Sequence, residues 1–132
     1  MALSEKDLRI GNLVKWYDVS KVLELHSEKN KFDNVYIECD ESFEWTEYNK
    51  LEPIQLTEEW LLKVGFQERK DTSNFSNFWI GENPLTRDWL FVIKGFKEDN
   101  DFFFMNGFHK IKYVHQLQNL YFALTGAELT VA

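Results

Sequence analysis

The chain has 132 residues, carries 22 Asp and Glu against 15 Lys and Arg for a formal net charge of −7, and is 17% aromatic with twelve Phe. That length allows one ordinary hydrophobic core, or two small subdomains sharing it, and the aromatic content with only six Gly and two Pro excludes a disordered or low-complexity polymer. The acidic balance works against non-specific binding to phosphate backbones, so nucleic acid is disfavoured as a partner.

Cys39 is the single cysteine, which leaves no intramolecular disulfide or thiolate cluster and suits a reducing cytosol. The opening MALSEKDLRI is too charged for a signal peptide, and the longest apolar runs, 89–93 and 102–105, are too short to span a membrane. A cytoplasmic protein without membrane contact is expected.

Residues 10–53 read as strands: LVKW, KVLEL and NVYIEC, with SEKNKFDN as turn material between the second and third, then FEWTEY after a turn at 40–42. In NVYIEC the period of two sends Val35, Ile37 and Cys39 to one side and Tyr36 and Glu38 to the other. Several short antiparallel strands in this length predict a small barrel-like or strongly curled sheet.

LTEEWLLKVGF changes the period to that of a helix. Thr57 is the expected N-cap, Glu58 and Glu59 favour the positive end of the helix dipole, and Gly65 provides a left-handed stop. Strands are expected at 66–71 and 75–80 around a polar DTSN, and WLFVIKG with FFFM forms a hairpin turning at KEDND. From about Ile111 a closing helix places Tyr113, Val114, Leu117, Leu120, Tyr121 and Leu124 on one core-facing stripe. Gly126 ends it, and AELTV is read as a short terminal strand. The resulting class is α+β: an N-terminal barrel-like antiparallel sheet, a helix, a β-hairpin layer and a C-terminal packing helix. Residues 1–132 form a single domain, subdivisible into 1–56 and 57–132.

Opposite the helical stripe lie His115, Gln118, Asn119 and Phe122, a face with no charge in a chain of which 28% is charged. Two readings are open. The face is a partner interface, depleted of charge and bearing an aromatic ring, or another part of the chain covers it. Phe75, Phe78 and Trp79 in the polar NFSNFW segment add a second aromatic candidate surface.

No catalytic constellation is visible. No Ser sits in G-x-S-x-G, the glycines are scattered singly, and His109 and His115 lie six residues apart, which turns them to different sides of a helix. EDND at 98–101 lacks the glycine of a calcium loop and runs into FFF. Cys39 alternates with apolar residues and reads as a buried thiol. No cofactor and no metal is expected. Glu38, Asp40, Glu41, Glu44 and Glu47 are either a solvated strand edge or an acidic surface; in the second case Glu41, Glu44 and Glu47 are candidates for occupying a basic groove built for nucleic acid. The segment KGFKEDNDFFFMNGFHKIKY fits an aromatic RNA-binding strand badly, because His109 stands where a small residue is wanted.

Three stretches, DLRIGN at 7–12, LEPIQLTEEWLLKVGF at 51–66 and IKYVHQLQNLYFALTGAEL at 111–129, resemble a family of small proteins encoded by phages and prophages of the Bacteroidetes. The resemblance brings no catalytic motif. It implies a phage setting, in which a small acidic protein is similar to inhibitors of host defence, anti-CRISPR proteins among them, and it makes the type VI-B RNA-guided ribonuclease a concrete target. The expected function is that of a non-enzymatic inhibitor binding a host nuclease or its guide-RNA complex. The alternative is a phage accessory or structural subunit that self-associates as a homo-oligomer through the final helix.

Overall fold

The computed structural model describes residues 3–4, 6–26, 34–70, 77–82, 89–94, 102–104, 109–129 and 131. The chain divides into two compact units: Met1–Gln55 with Tyr113–Asn119, and Leu56–Lys112 with Leu120–Ala132. The front boundary falls where the strand period gives way to the helix period. The first turns of the closing helix, however, belong with the N-terminal unit.

That unit contains a four-stranded antiparallel sheet in sequential order, β1 (Leu13–Trp16), β2 (Asp18–Leu25), β3 (Val35–Cys39) and β4 (Ser42–Thr46). Alternation puts Val14, Val22, Val35 and Ile37 on one face, all at 0% exposure, where Leu3, Leu8, Tyr48 and Leu51 complete a hydrophobic cluster with Trp16 and Leu25 packed against it. Each such Val or Ile contributes roughly 1.5–3 kcal/mol by leaving water. Tyr17 alone joins Trp16 to its partner Asp18, with φ 58, and β3 turns into β4 through Asp40 and Glu41 at φ 48 and 66. Two successive positive φ values make the second a type I′ turn, whose twist matches the strands it joins. The turn material expected in SEKNKFDN lies at 27–34, of which 27–33 fall outside the described residues.

The expected barrel does not close. After a 3-10 turn at Tyr48–Lys50 the chain returns to β1 for a single bridge, Lys15 with Glu52, sealed by N–H to carbonyl bonds of 2.8 and 2.9 Å. The next ladder position would pair Leu13 with Ile54. Its groups are already taken: the Leu13 N–H bonds the Gln118 side chain at 2.8 Å, and the Ile54 carbonyl accepts from the Val114 N–H at 2.9 Å. A backbone donor or acceptor satisfied elsewhere does not extend a sheet.

In the second unit α1 (Glu58–Lys63) begins where expected. Thr57 Oγ1 accepts the Trp60 N–H at 3.3 Å, Glu58 and Glu59 occupy the first turn, and Lys63 pairs with Glu59 at 3.4 Å. Gly65 at φ 96 ends the helix, and the Phe66 N–H bonds back to the Leu61 carbonyl. A five-stranded antiparallel sheet follows in sequential order, β5 (Gln67–Lys70), β6 (Asn77–Glu82), β7 (Trp89–Lys94), β8 (Phe102–Phe104) and β9 (His109–Ile111). The last of these is an addition to the sequence reading, since HKI has too few residues for a period to register. The turns expected in DTSN and KEDND lie outside the described residues. Leu56, Leu61, Phe66, Val92, Phe102 and Ile111 are buried in this unit.

The closing helix, α2 (Val114–Thr125), starts later than expected, with the Gln116 side-chain oxygen accepting the Tyr113 N–H at 3.2 Å as half of a capping box. Val114, Leu117 and Tyr121 of the predicted stripe are buried, Tyr113 and Leu120 are half-buried, and Leu124 is 48% exposed. Gly126, at φ 72, stops the helix. The terminal strand expected in AELTV is not formed over 127–129: the Ala127 N–H bonds Thr125 Oγ1 at 3.0 Å, and Thr125 Oγ1 in turn donates to the Tyr121 carbonyl at 2.8 Å, holding the chain in a local turn. Among the described residues, no helix is long and apolar enough to cross a membrane.

Candidate functional site

The uncharged side of α2 is only in small part a surface. His115 and Gln118 are each 2% exposed and Asn119 is half-buried, so the expectation of an outward-facing patch is corrected for this turn of the helix. The cover is the chain's own segment 7–13. Gln118 Oε1 accepts from the Leu13 N–H at 2.8 Å, and Gln118 Nε2 donates to the Gly11 carbonyl at 3.2 Å. Asn119 Oδ1 accepts from Asn12 Nδ2 at 2.8 Å and Arg9 Nε at 3.2 Å, while Asn119 Nδ2 donates to the Asp7 carbonyl at 3.2 Å. An irregular segment lying on a helix needs partners for its backbone groups, and side-chain amides supply both a donor and an acceptor without the desolvation cost of a charge. This accounts for the missing charges. It also ties together DLRIGN and HQLQN, two stretches more than a hundred residues apart in the sequence.

His115 occupies the same buried turn. Its ring lies parallel to that of Tyr113 at 5.8 Å, and Nδ1 is buried with no hydrogen-bond partner. Burial lowers its pKa below the ordinary histidine value, and the nearby Asp7 charge opposes that only in part. A neutral imidazole packed in this way is structural.

The strongest exposed feature of the first unit is on the sheet. Register places Trp45 opposite Tyr36 and Phe43 opposite Glu38, on the face away from the hydrophobic cluster. The Tyr36 ring lies 4.8 Å from Trp45 and stacks on Phe43 at 6.2 Å, and His26 approaches Trp45 at 5.3 Å. Phe43 and Trp45 remain 53% and 41% exposed. They project from β4, an edge strand whose first four residues are all exposed.

Carboxylates outnumber cations around these rings, with Lys21 of β2 opposite Glu38 on the same face. Between Asn34 and Tyr48 there are five, Glu38, Asp40, Glu41, Glu44 and Glu47, and no Lys or Arg. Among the described residues none of the five belongs to an ion pair, whereas Glu24 lies 3.5 Å from His26. Glu41 sits in the turn, Glu44 faces the Ile37 side of the strand, and Glu47 follows its end, so the three acidic candidates surround the aromatic edge. Period-two alternation made the outward direction of Tyr36 legible, but the placing of Phe43 and Trp45 beside it required the strand register.

The remaining candidates are dispersed. Phe122 is 38% exposed on the second half of α2. Phe78 and Trp79 lie on β6, an interior strand, and Phe75 lies outside the described residues. Cys39 is half-buried, less enclosed than expected because its strand position adjoins the turn, and its Sγ lies 3.8 Å from the Trp16 carbonyl. A cleft of about 400 Å³ is lined by Lys15, Trp16, Tyr17, Asn49, Lys50 and Glu52. It is open to water, with Tyr17 at 89% exposure, and does not offer the excluded environment that strengthens catalytic electrostatics. Among the described residues, no group of three or more His, Cys, Asp or Glu is placed to hold a metal ion. No family model, curated protein or solved structure matches the chain.

Proposed function

We propose that this is a non-enzymatic binding protein that seats the ring-bearing, acidic edge of its N-terminal sheet on a basic surface of a larger macromolecule. The observation that carries the reading is the cluster of exposed Phe43 and Trp45 on half-buried Tyr36, in a stretch with five carboxylates and no Lys or Arg. Exposed rings supply apolar contact area at low entropic cost, and a field of one sign steers and selects an oppositely charged partner. A groove built to hold nucleic acid has the complementary charge. The resemblance to phage proteins therefore directs the proposal to a host defence nuclease or its guide-RNA complex, with the type VI-B RNA-guided ribonuclease as the first target.

The experiment is an RNA-cleavage assay with that ribonuclease and its guide. Stoichiometric inhibition by the wild-type protein is expected, with most of it lost when Glu41, Glu44 and Glu47 are changed together to Lys. Neither capture nor inhibition of any defence nuclease from a Bacteroidetes host would overturn the proposal, and inhibition far below stoichiometry would indicate an enzyme instead. A second reading, self-association in a phage accessory assembly, is favoured by the exposure of Phe122 and Leu124 at 38% and 48%. Sedimentation decides it: a discrete oligomer that Phe122→Glu dissociates supports self-association.

A further inference from the structure

The open edge of β4 bears on how a partner docks, an inference that rests on the binding surface just proposed. The turn between β3 and β4 contains only Asp40 and Glu41, which makes Cys39 and Ser42 the hydrogen-bonded closing pair of the hairpin. Antiparallel pairs alternate between hydrogen-bonded and non-hydrogen-bonded, so Ile37 with Glu44 and Val35 with Thr46 share the bonded type. Phe43 and Trp45 occupy the intervening positions. Their N–H and C=O groups therefore point away from β3, toward the free side of the sheet. None of these groups finds another backbone partner among the described residues.

One strand edge thus presents a row of unsatisfied backbone donors and acceptors, and the residues that own them also carry the exposed rings. Such an edge is a template for an added strand. We infer that β4 accepts an extended, basic segment of the partner as a fifth strand. The segment's backbone bonds Phe43 and Trp45, and its Lys or Arg side chains meet the ring faces on one side and Glu44 on the other.

Charge decides between occupants. A second copy of this chain would bring Glu44 and its neighbouring carboxylates against their own equivalents, and a charge on the core-facing side of an edge strand is a known safeguard against self-pairing. A basic strand reverses every one of those repulsions and adds cation–π contact over Phe43 and Trp45.

The test uses the whole protein and two capped octapeptides, one of Lys-Lys-Val-Val repeats and the other of Glu-Glu-Val-Val repeats, so that each presents its charge on both strand faces. Amide exchange followed by NMR is expected to slow by about tenfold or more at Phe43 and Trp45 when the Lys peptide binds, and to stay unchanged with the Glu peptide. Phe43→Ala and Phe43→Pro both remove the ring, but only proline removes the outward N–H, which the sheet itself does not use. The proline variant should bind the Lys peptide about tenfold more weakly than the alanine variant. Protection appearing elsewhere, equal binding of the two peptides, or protection of β4 that rises with protein concentration alone overturns the inference; the wild-type exchange result stands even where the proline variant misfolds. Nuclease inhibition that survives Phe43→Pro but not the triple Glu to Lys change removes strand addition and leaves the proposed function standing. Peptide capture at β4 without inhibition of any nuclease does the reverse.

Discussion

The side chain of Gln118 takes the N–H of Leu13 that would otherwise continue the β-sheet, at 2.8 Å. One hydrogen bond thereby links the two ends of the sequence, explains a neutral helix face and limits the pairing of residues 52–54 with β1 to a single bridge. Replacing Gln118 by Leu leaves that N–H and the Gly11 carbonyl, both on half-buried residues, without this partner. A fully buried orphan costs roughly 1–3 kcal/mol, so for two half-buried groups a loss of about 1–3 kcal/mol is expected in urea denaturation, large against the stability of a small domain. A loss under about 0.5 kcal/mol would mean the amide is not the tie described.

Acid should destabilise the fold through His115. Its folded pKa is lowered, chiefly by burial, so below the ordinary value of 6.5 the unfolded chain binds a proton that the folded chain resists. Stability is then complete above that value and declines as pH falls through it toward the folded pKa, with a slope of at most about 1.4 kcal/mol per pH unit. His115→Gln removes this component. Denaturation midpoints at pH 7.5 and 5.5 should differ more in the wild type than in the variant, and parallel behaviour would show that His115 does not carry the proton.

Glu41 holds φ 66 in the hairpin turn, a conformation that suits glycine in a type I′ turn better than a residue with a Cβ. Glu41→Gly is expected to stabilise the first unit by about 0.5–1 kcal/mol. Thermal unfolding would register an increase of a few degrees. A lower Tm would mean that the side chain contributes more than its backbone strain costs.

The cap of α1 gives a local control in the other unit. Thr57→Ala removes the acceptor 3.3 Å from the Trp60 N–H and should cost about 1 kcal/mol. Thr57→Ser should restore most of it, since the hydroxyl is retained. Equal losses in the two variants would assign the effect to packing of the threonine methyl rather than to the cap.

Local chemistry was readable wherever a single residue or a short period decides the structure. The strands around Val14, Val22 and Ile37, the cap at Thr57, the stop at Gly65 and the class of the fold follow from alternation, side-chain hydrogen bonding and backbone freedom. The direction of Tyr36 followed as well, because neighbours on a strand face opposite ways.

What pattern could not reach were pairings distant in sequence. A neutral helix face has the same composition whether it meets a partner protein or the backbone of residues 7–13, and the 2% exposure of His115 and Gln118 was settled by the second. How far residues 52–54 pair with β1 turned on which group captured the Leu13 N–H, a competition between Ile54 and a side chain 105 positions away. The strand register likewise gathered Tyr36, Phe43 and Trp45 into one surface. Period and propensity act over a few residues, so the sequence determined the elements and their faces; which face was covered depended on long-range hydrogen bonds, and only the tertiary structure decided those.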